Sequence, residues 1–198
     1  MKTSLPTHIF FTGVPGSRWS GISQVIEQVP GINTSDQSAD RQYSHHAYSG
    51  HRGAYFGNGM EFPANLNEID TSAWQRPGGC KILKSHDWAY QLDNITQLYS
   101  NVWIMLVYRP DQASYDWWQE AGGFNIKYPS YDWYKNNEKM ILEIWQQNSH
   151  ILDFAIRHNL KWELFTSDWV LANFGVNIQV NKVWPDIEVT ILKLDDSK

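Results

Sequence analysis

The chain has 198 residues, 42% of them apolar, and a formal net charge of −5, which describes one globular domain, residues 1–198, with a sizeable core. The acidic balance argues against a dedicated nucleic-acid binder, and the single cysteine, Cys80, excludes an intrachain disulfide. No apolar stretch is long enough to span a bilayer, and Pro6 and His8 interrupt any signal-peptide core, so the expected address is cytoplasmic, with no membrane partner.

An apolar run at residues 9–11 reads as a buried parallel strand. A turn rich in Gly, Pro and Ser follows at 13–20, and Ile22, Val25, Ile26 and Val29 then recur at helical spacing. This P-loop-like strand–turn–helix directs backbone N–H groups and the positive end of a helix dipole at one point, where a phosphate fits. Pro30 and Gly31 stop regular structure. Residues 33–63 are polar and glycine-rich, the composition of a lid or acceptor loop. His45, His46 and His51 lie there with Asp36 and Asp40, but their spacing follows no metal-ligand pattern, so no metal is expected.

A short helix is expected at 65–74 and a second strand at 80–84, followed by Ser85, His86 and Asp87. Residues 88–99 show helical spacing, and 102–107 form the most apolar run, a central parallel strand. Pro110 suits the first turn of a helix over 111–120, which Gly122 and Gly123 end. Residues 130–159 carry one apolar helical stripe, 162–165 read as a short strand, and Ser167 is placed to cap a helix over 168–174 ended by Gly175. The tail, 178–192, reads as extended. Strands alternating with helices imply an α/β fold with a central, mainly parallel sheet flanked by helices.

In such sheets ligands bind at the carboxyl ends of the strands, and three polar segments sit there: 13–20, then Lys84, Ser85 and His86, then Arg109 to Ser114. Together they resemble the sulfotransferases that use 3′-phosphoadenosine 5′-phosphosulfate. In that family a P-K-S-G-T-T loop holds the 5′-phosphosulfate. The loop here reads Pro15, Gly16, Ser17, Arg18, Trp19, Ser20, with Gly16 in place of the lysine and Arg18 in place of the glycine. The family's K-T-H segment is matched by Lys84, Ser85 and His86. Its arginine and serine that bind the 3′-phosphate are matched by Arg109 and Ser114, at a spacing shorter by almost one helical turn. The late glycine-rich segment of the family has no counterpart, and the resemblance covers mainly residues 9–120.

The resemblance implies transfer of a sulfuryl group from 3′-phosphoadenosine 5′-phosphosulfate, as co-substrate, to a hydroxyl or amine on a small molecule or glycan. Such chemistry needs a base and concentrated positive charge. His86 suits the base by its ordinary pKa, and Lys84 shares its strand face if the strand continues. Arg18 substitutes for the missing loop lysine, while Ser17 and Ser20 add donors. Trp19, Trp88, Trp117 and Trp118 divide between pocket wall and core.

Two other readings stay open. A nucleotide kinase would need the P-loop glycine and lysine where Arg18 and Trp19 stand. A binding module without turnover accords with Gly16 and the shortened Arg109–Ser114 spacing.

Overall fold

The computed structural model describes residues 4–34, 42–43, 54–55, 66, 78–126 and 131–195. In chain order the elements are β1 (His8–Gly13), α1 (Trp19–Ile26), β2 (Gln42–Tyr43), β3 (Ala54–Tyr55), β4 (Lys81–Lys84), α2 (Leu92–Leu98) and β5 (Val102–Tyr108). There follow α3 (Asp111–Glu120), α4 (Asn137–Arg157), β6 (Glu163–Leu164), α5 (Ser167–Phe174) and β7 (Glu188–Leu194), with 3₁₀ turns at His86–Tyr90 and Gly123–Asn125.

The apolar runs of β1, β4 and β5 lie side by side because each is buried on both faces. Ile9, Phe11, Ile82, Met105 and Val107 pack under α1 and α5. Phe10, Leu83, Ile104 and Leu106 face the other way, onto α2 and α4. Each such side chain contributes about 1.5–3 kcal/mol by leaving water, so these strands anchor the molecule. A third cluster, with Val14, Trp118, Met140 and Ile144, holds α3 against α4.

Among the described residues the main sheet has the order β4-β1-β5-β7-β6. β1 pairs in parallel with β4 and β5, whereas β7 runs antiparallel to both β5 and β6. The expected mainly parallel sheet is therefore corrected to a mixed one. The cause lies after α5: the connecting segment brings the chain to the carboxyl edge of β5, where Glu188 pairs with Tyr108, and β7 starts back from there. Trp184 and Asp186, just before β7, are thereby delivered to that edge.

Several element boundaries also move. β4 stops at Lys84, and Ser85 caps a 3₁₀ turn by accepting from the Asp87 N–H, so His86 does not continue the strand. The helix expected over 88–99 is confined to α2 behind that turn. α4 starts at Asn137, where the Asn136 side chain accepts from the Lys139 N–H at 2.9 Å. Thr166, not Ser167, caps α5; the Ser167 hydroxyl instead accepts from the Val180 N–H at 2.8 Å. Pro110 occupies the position before the first helical residue of α3. The helix expected at 65–74 lies outside the described residues, apart from Leu66, and so do His45, His46, His51, Asp36 and Asp40. No helix among the described residues is long and apolar enough to cross a membrane.

Candidate functional site

β1 ends at Gly13, and the Ser17 N–H closes the following turn on the Val14 carbonyl at 3.0 Å. Gly16 takes φ +81, and a Cβ there would lie 1.8 Å from the Ser114 carbonyl oxygen. No side chain fits. Glycine at the position where the sulfotransferase loop has lysine is thus a packing requirement, because α3 abuts the loop. Arg18 follows in the left-handed region, φ 62, and its side chain does not cap α1. That backbone costs a non-glycine residue about 1–2 kcal/mol. Pro15, Ser17, Trp19 and Ser20 are buried, and the Ser17 hydroxyl has no hydrogen-bond partner among the described residues.

The left-handed turn sends the Arg18 guanidinium between two tryptophans, 3.3 Å from the centroid of Trp117 and 4.9 Å from that of Trp184. Burial lowers its pKa, and the neighbouring Arg109 charge lowers it further, against Glu120 and Asp186. Arg109 leaves β5 directly beneath the loop. Its Nε donates to Asp186 Oδ2 at 2.7 Å and its Nη1 to the Gly16 carbonyl at 3.0 Å. The Ser114 hydroxyl donates back to the Arg109 carbonyl at 3.3 Å, which also accepts from the Asn148 amide at 2.8 Å. Two guanidiniums are therefore held together at the ends of β1 and β5.

Lys84 points elsewhere. On the α1 face of β4, its Nζ donates to the Ser23 hydroxyl at 3.1 Å and lies 3.6 Å from Glu27, with the side chain 5% exposed. Its charge is matched by Glu27, at the carboxyl-terminal cap of α1. The register pairs Lys84 with Phe11, which brings His86 level with Gly13, and the His86 Nδ1 hydrogen-bonds the Gly13 carbonyl at 2.5 Å. A carbonyl only accepts, so the neutral ring carries its proton on Nδ1 and its basic lone pair on Nε2. Trp19 lies over the ring at 4.3 Å, with Tyr131 and Trp133 at 5.7 and 5.9 Å. Burial holds the His86 pKa down at about 3, only partly opposed by the Gly13 bond.

Beside His86 a polar network crosses to α4. The Tyr90 hydroxyl donates to Glu143 at 2.7 Å, the Gln147 amide to the same carboxylate at 2.9 Å, and Trp133 Nε1 to Asp87 at 3.0 Å. Burial and the nearby Asp87 charge raise the Glu143 pKa against those two donors. On the other side of the loop, a cavity of about 320 Å³ opens from the first turns of α1 to the segment before β7. Its walls include Gly21, Val25, Gln28, Phe165, Gln179 and Trp184, and Trp184 also stacks on Arg18. A volume of that order suits one planar ring system.

The predicted residues Pro15, Gly16, Ser17, Arg18, Trp19, Ser20, Arg109 and Ser114 come together, and His86 joins them through Gly13 and Trp19. Lys84 lies on α1 instead. Trp117 becomes a wall for Arg18, whereas Trp88 and Trp118 are core, at 0% and 1% exposure. The sequence reading missed Trp184 and Asp186, whose only local signal is a Trp-Pro-Asp step in a polar tail. Among the described residues no group of three or more His, Cys, Asp or Glu could hold a metal ion. No protein-family model, curated protein or solved structure matches the chain.

Proposed function

We propose that the chain is a sulfotransferase that takes 3′-phosphoadenosine 5′-phosphosulfate as donor and a hydroxyl or amine as acceptor. The observation that carries this reading is the pair of guanidiniums, Arg18 and Arg109, at the carboxyl ends of β1 and β5 beside the cavity walled by Trp184. Arginine forks grip phosphate and sulfate oxygens, and an aromatic-walled cavity next to them suits a purine.

In the proposed reaction the acceptor oxygen forms a bond to sulfur as the bridging S–O bond of the phosphosulfate breaks. The acceptor proton passes to His86 Nε2, and the electron pair of the broken bond stays on the 5′-phosphate oxygen. The Nδ1–H bond to Gly13 supports this role, since it fixes the tautomer whose Nε2 is basic. Negative charge gathering on the leaving phosphate would be met by Arg18 and loop N–H groups. Arg109 would hold the 3′-phosphate.

A second reading, nucleotide binding without turnover, is favoured by one observation: His86 is 0% exposed under an aromatic cover. Transfer would require that cover to open for the acceptor and so to relieve the burial that holds the His86 pKa at about 3, far below a base poised for neutral pH. Isothermal titration with 3′-phosphoadenosine 5′-phosphate and with ATP, followed by transfer of labelled sulfate to a panel of hydroxyl and amine compounds, separates the cases. Bisphosphate binding with transfer supports the enzyme, and binding without transfer supports the module. Preference for ATP would contradict the proposed donor and favour the kinase reading.

A further inference from the structure

The two guanidiniums of the site are already faced by anions of the chain, with Lys182 a further cation over the Trp184 ring. Arg18 and Arg109 face Asp186, in contact with Arg109 at 2.7 Å, and both Asp186 and Glu120 act on Arg18 at longer range. Two positive charges meet two negative ones before any ligand arrives. An incoming phosphate on Arg109 would approach a carboxylate that binds the same guanidinium, and like charges at that range repel.

Asp186 is placed to give way. The Ile187 N–H bonds the Trp184 carbonyl at 3.3 Å, and Ile187 is 1% exposed, so the backbone of this strap is pinned on both sides of Asp186. The Asp186 side chain is 33% exposed, against 11% for Arg109, so the carboxylate can rotate to water while the guanidinium stays. Arg109 keeps its place through the Gly16 carbonyl when that happens.

The geometry points to Asp186 as an internal counter-ion: it holds Arg109 until an anion displaces it, and its repulsion grows with the charge of that anion. Removing its charge should strengthen anion binding, and most for multiply charged anions. This rests on reading the crevice as an anion site, but not on which nucleotide enters it.

The test is calorimetric titration of inorganic pyrophosphate and of sulfate into the wild-type chain, Asp186→Asn and Asp186→Glu. Asparagine keeps a carbonyl acceptor for the Arg109 Nε–H, and glutamate keeps the charge. Asp186→Asn should bind pyrophosphate about tenfold more tightly than the wild type, equivalent to about 1.4 kcal/mol, with a smaller gain for sulfate. Asp186→Glu should stay near the wild type. Equal or weaker pyrophosphate binding by Asp186→Asn would overturn the inference, as would absence of binding by all three proteins. Should Asp186→Asn melt too early to titrate, Asp186→Ser is the second variant, with the same expected gain and the same overturning result. A gain on pyrophosphate without any preference of the wild type for the adenosine bisphosphate over ATP would leave the counter-ion role standing and remove the proposed donor.

Discussion

The two basic ends of the crevice come from similar sequence, a cation leaving a strand, yet they reach opposite states. At the β4 end, Lys84 is 4% exposed and matched by Glu27, and His86 is sealed and neutral. At the β1 and β5 ends, Arg18 and Arg109 are held charge beside charge, one of them on a left-handed backbone, and lean on a partly exposed carboxylate. The β4 end is built as core, whereas the loop end sets one guanidinium beside another and holds one of them on a left-handed backbone.

The largest way to test this contrast is His86→Gln. If His86 is the base, sulfuryl transfer should fall by about 10²–10⁴-fold while affinity for the bisphosphate is nearly unchanged. Full activity in that variant would place the base elsewhere. Next, Lys84→Met should lower unfolding free energy in urea by about 3 kcal/mol, because Glu27 loses its buried partner. Its bisphosphate affinity should match the wild type, and a large loss of affinity would move Lys84 into the anion site. Arg109→Ala should do the reverse, weakening bisphosphate binding by about 2 kcal/mol, roughly 30-fold, through loss of a charge-assisted contact. Unchanged affinity would take Arg109 out of the site.

Smaller effects sharpen the same comparison. His86 has its pKa depressed in the fold, from an ordinary 6.5 to about 3. The unfolded chain therefore binds a proton that the folded chain refuses between those values, and stability should fall as pH drops through that window. Urea titrations of His86→Gln should show a shallower acid decline than the wild type, and parallel curves would deny His86 this burial. Smallest of all, Arg18→Gly removes left-handed strain of about 1–2 kcal/mol and loses the Trp117 stack, so its stability should stay within about 1 kcal/mol of the wild type. Its anion affinity should still fall, which calorimetry would read.

What the sequence made legible follows the range of the forces involved. β1 and β5 could be read because burial on both faces writes continuous apolar runs, β4 from the Ile82–Leu83 pair between two lysines, and the loop after β1 from its glycines and serines. The direction of β7 could not, since Glu188 to Leu194 alternates weakly and its pairing with β5 depends on a return path that no local signal encodes. Gly16 reads in isolation as a lost lysine. Only its contact with Ser114, far along the chain, shows why no side chain can stand there. The Arg109–Asp186 pair spans 77 positions and was hidden for the same reason. The partners of Lys84 were hidden because strand alternation gives the face, not the partner, and its face is covered by Ser23 of α1 and by Glu27 at the cap of that helix.

If Arg18 and Arg109 together bind a nucleotide, that nucleotide should bear two separate anionic groups. The most direct measurement is the ratio of affinities for 3′-phosphoadenosine 5′-phosphate and adenosine 5′-phosphate, in the wild-type chain and in Arg109→Ala. A clear wild-type preference for the bisphosphate that Arg109→Ala abolishes is expected; equal wild-type affinity for the two nucleotides, or binding of neither, would rule out such a site.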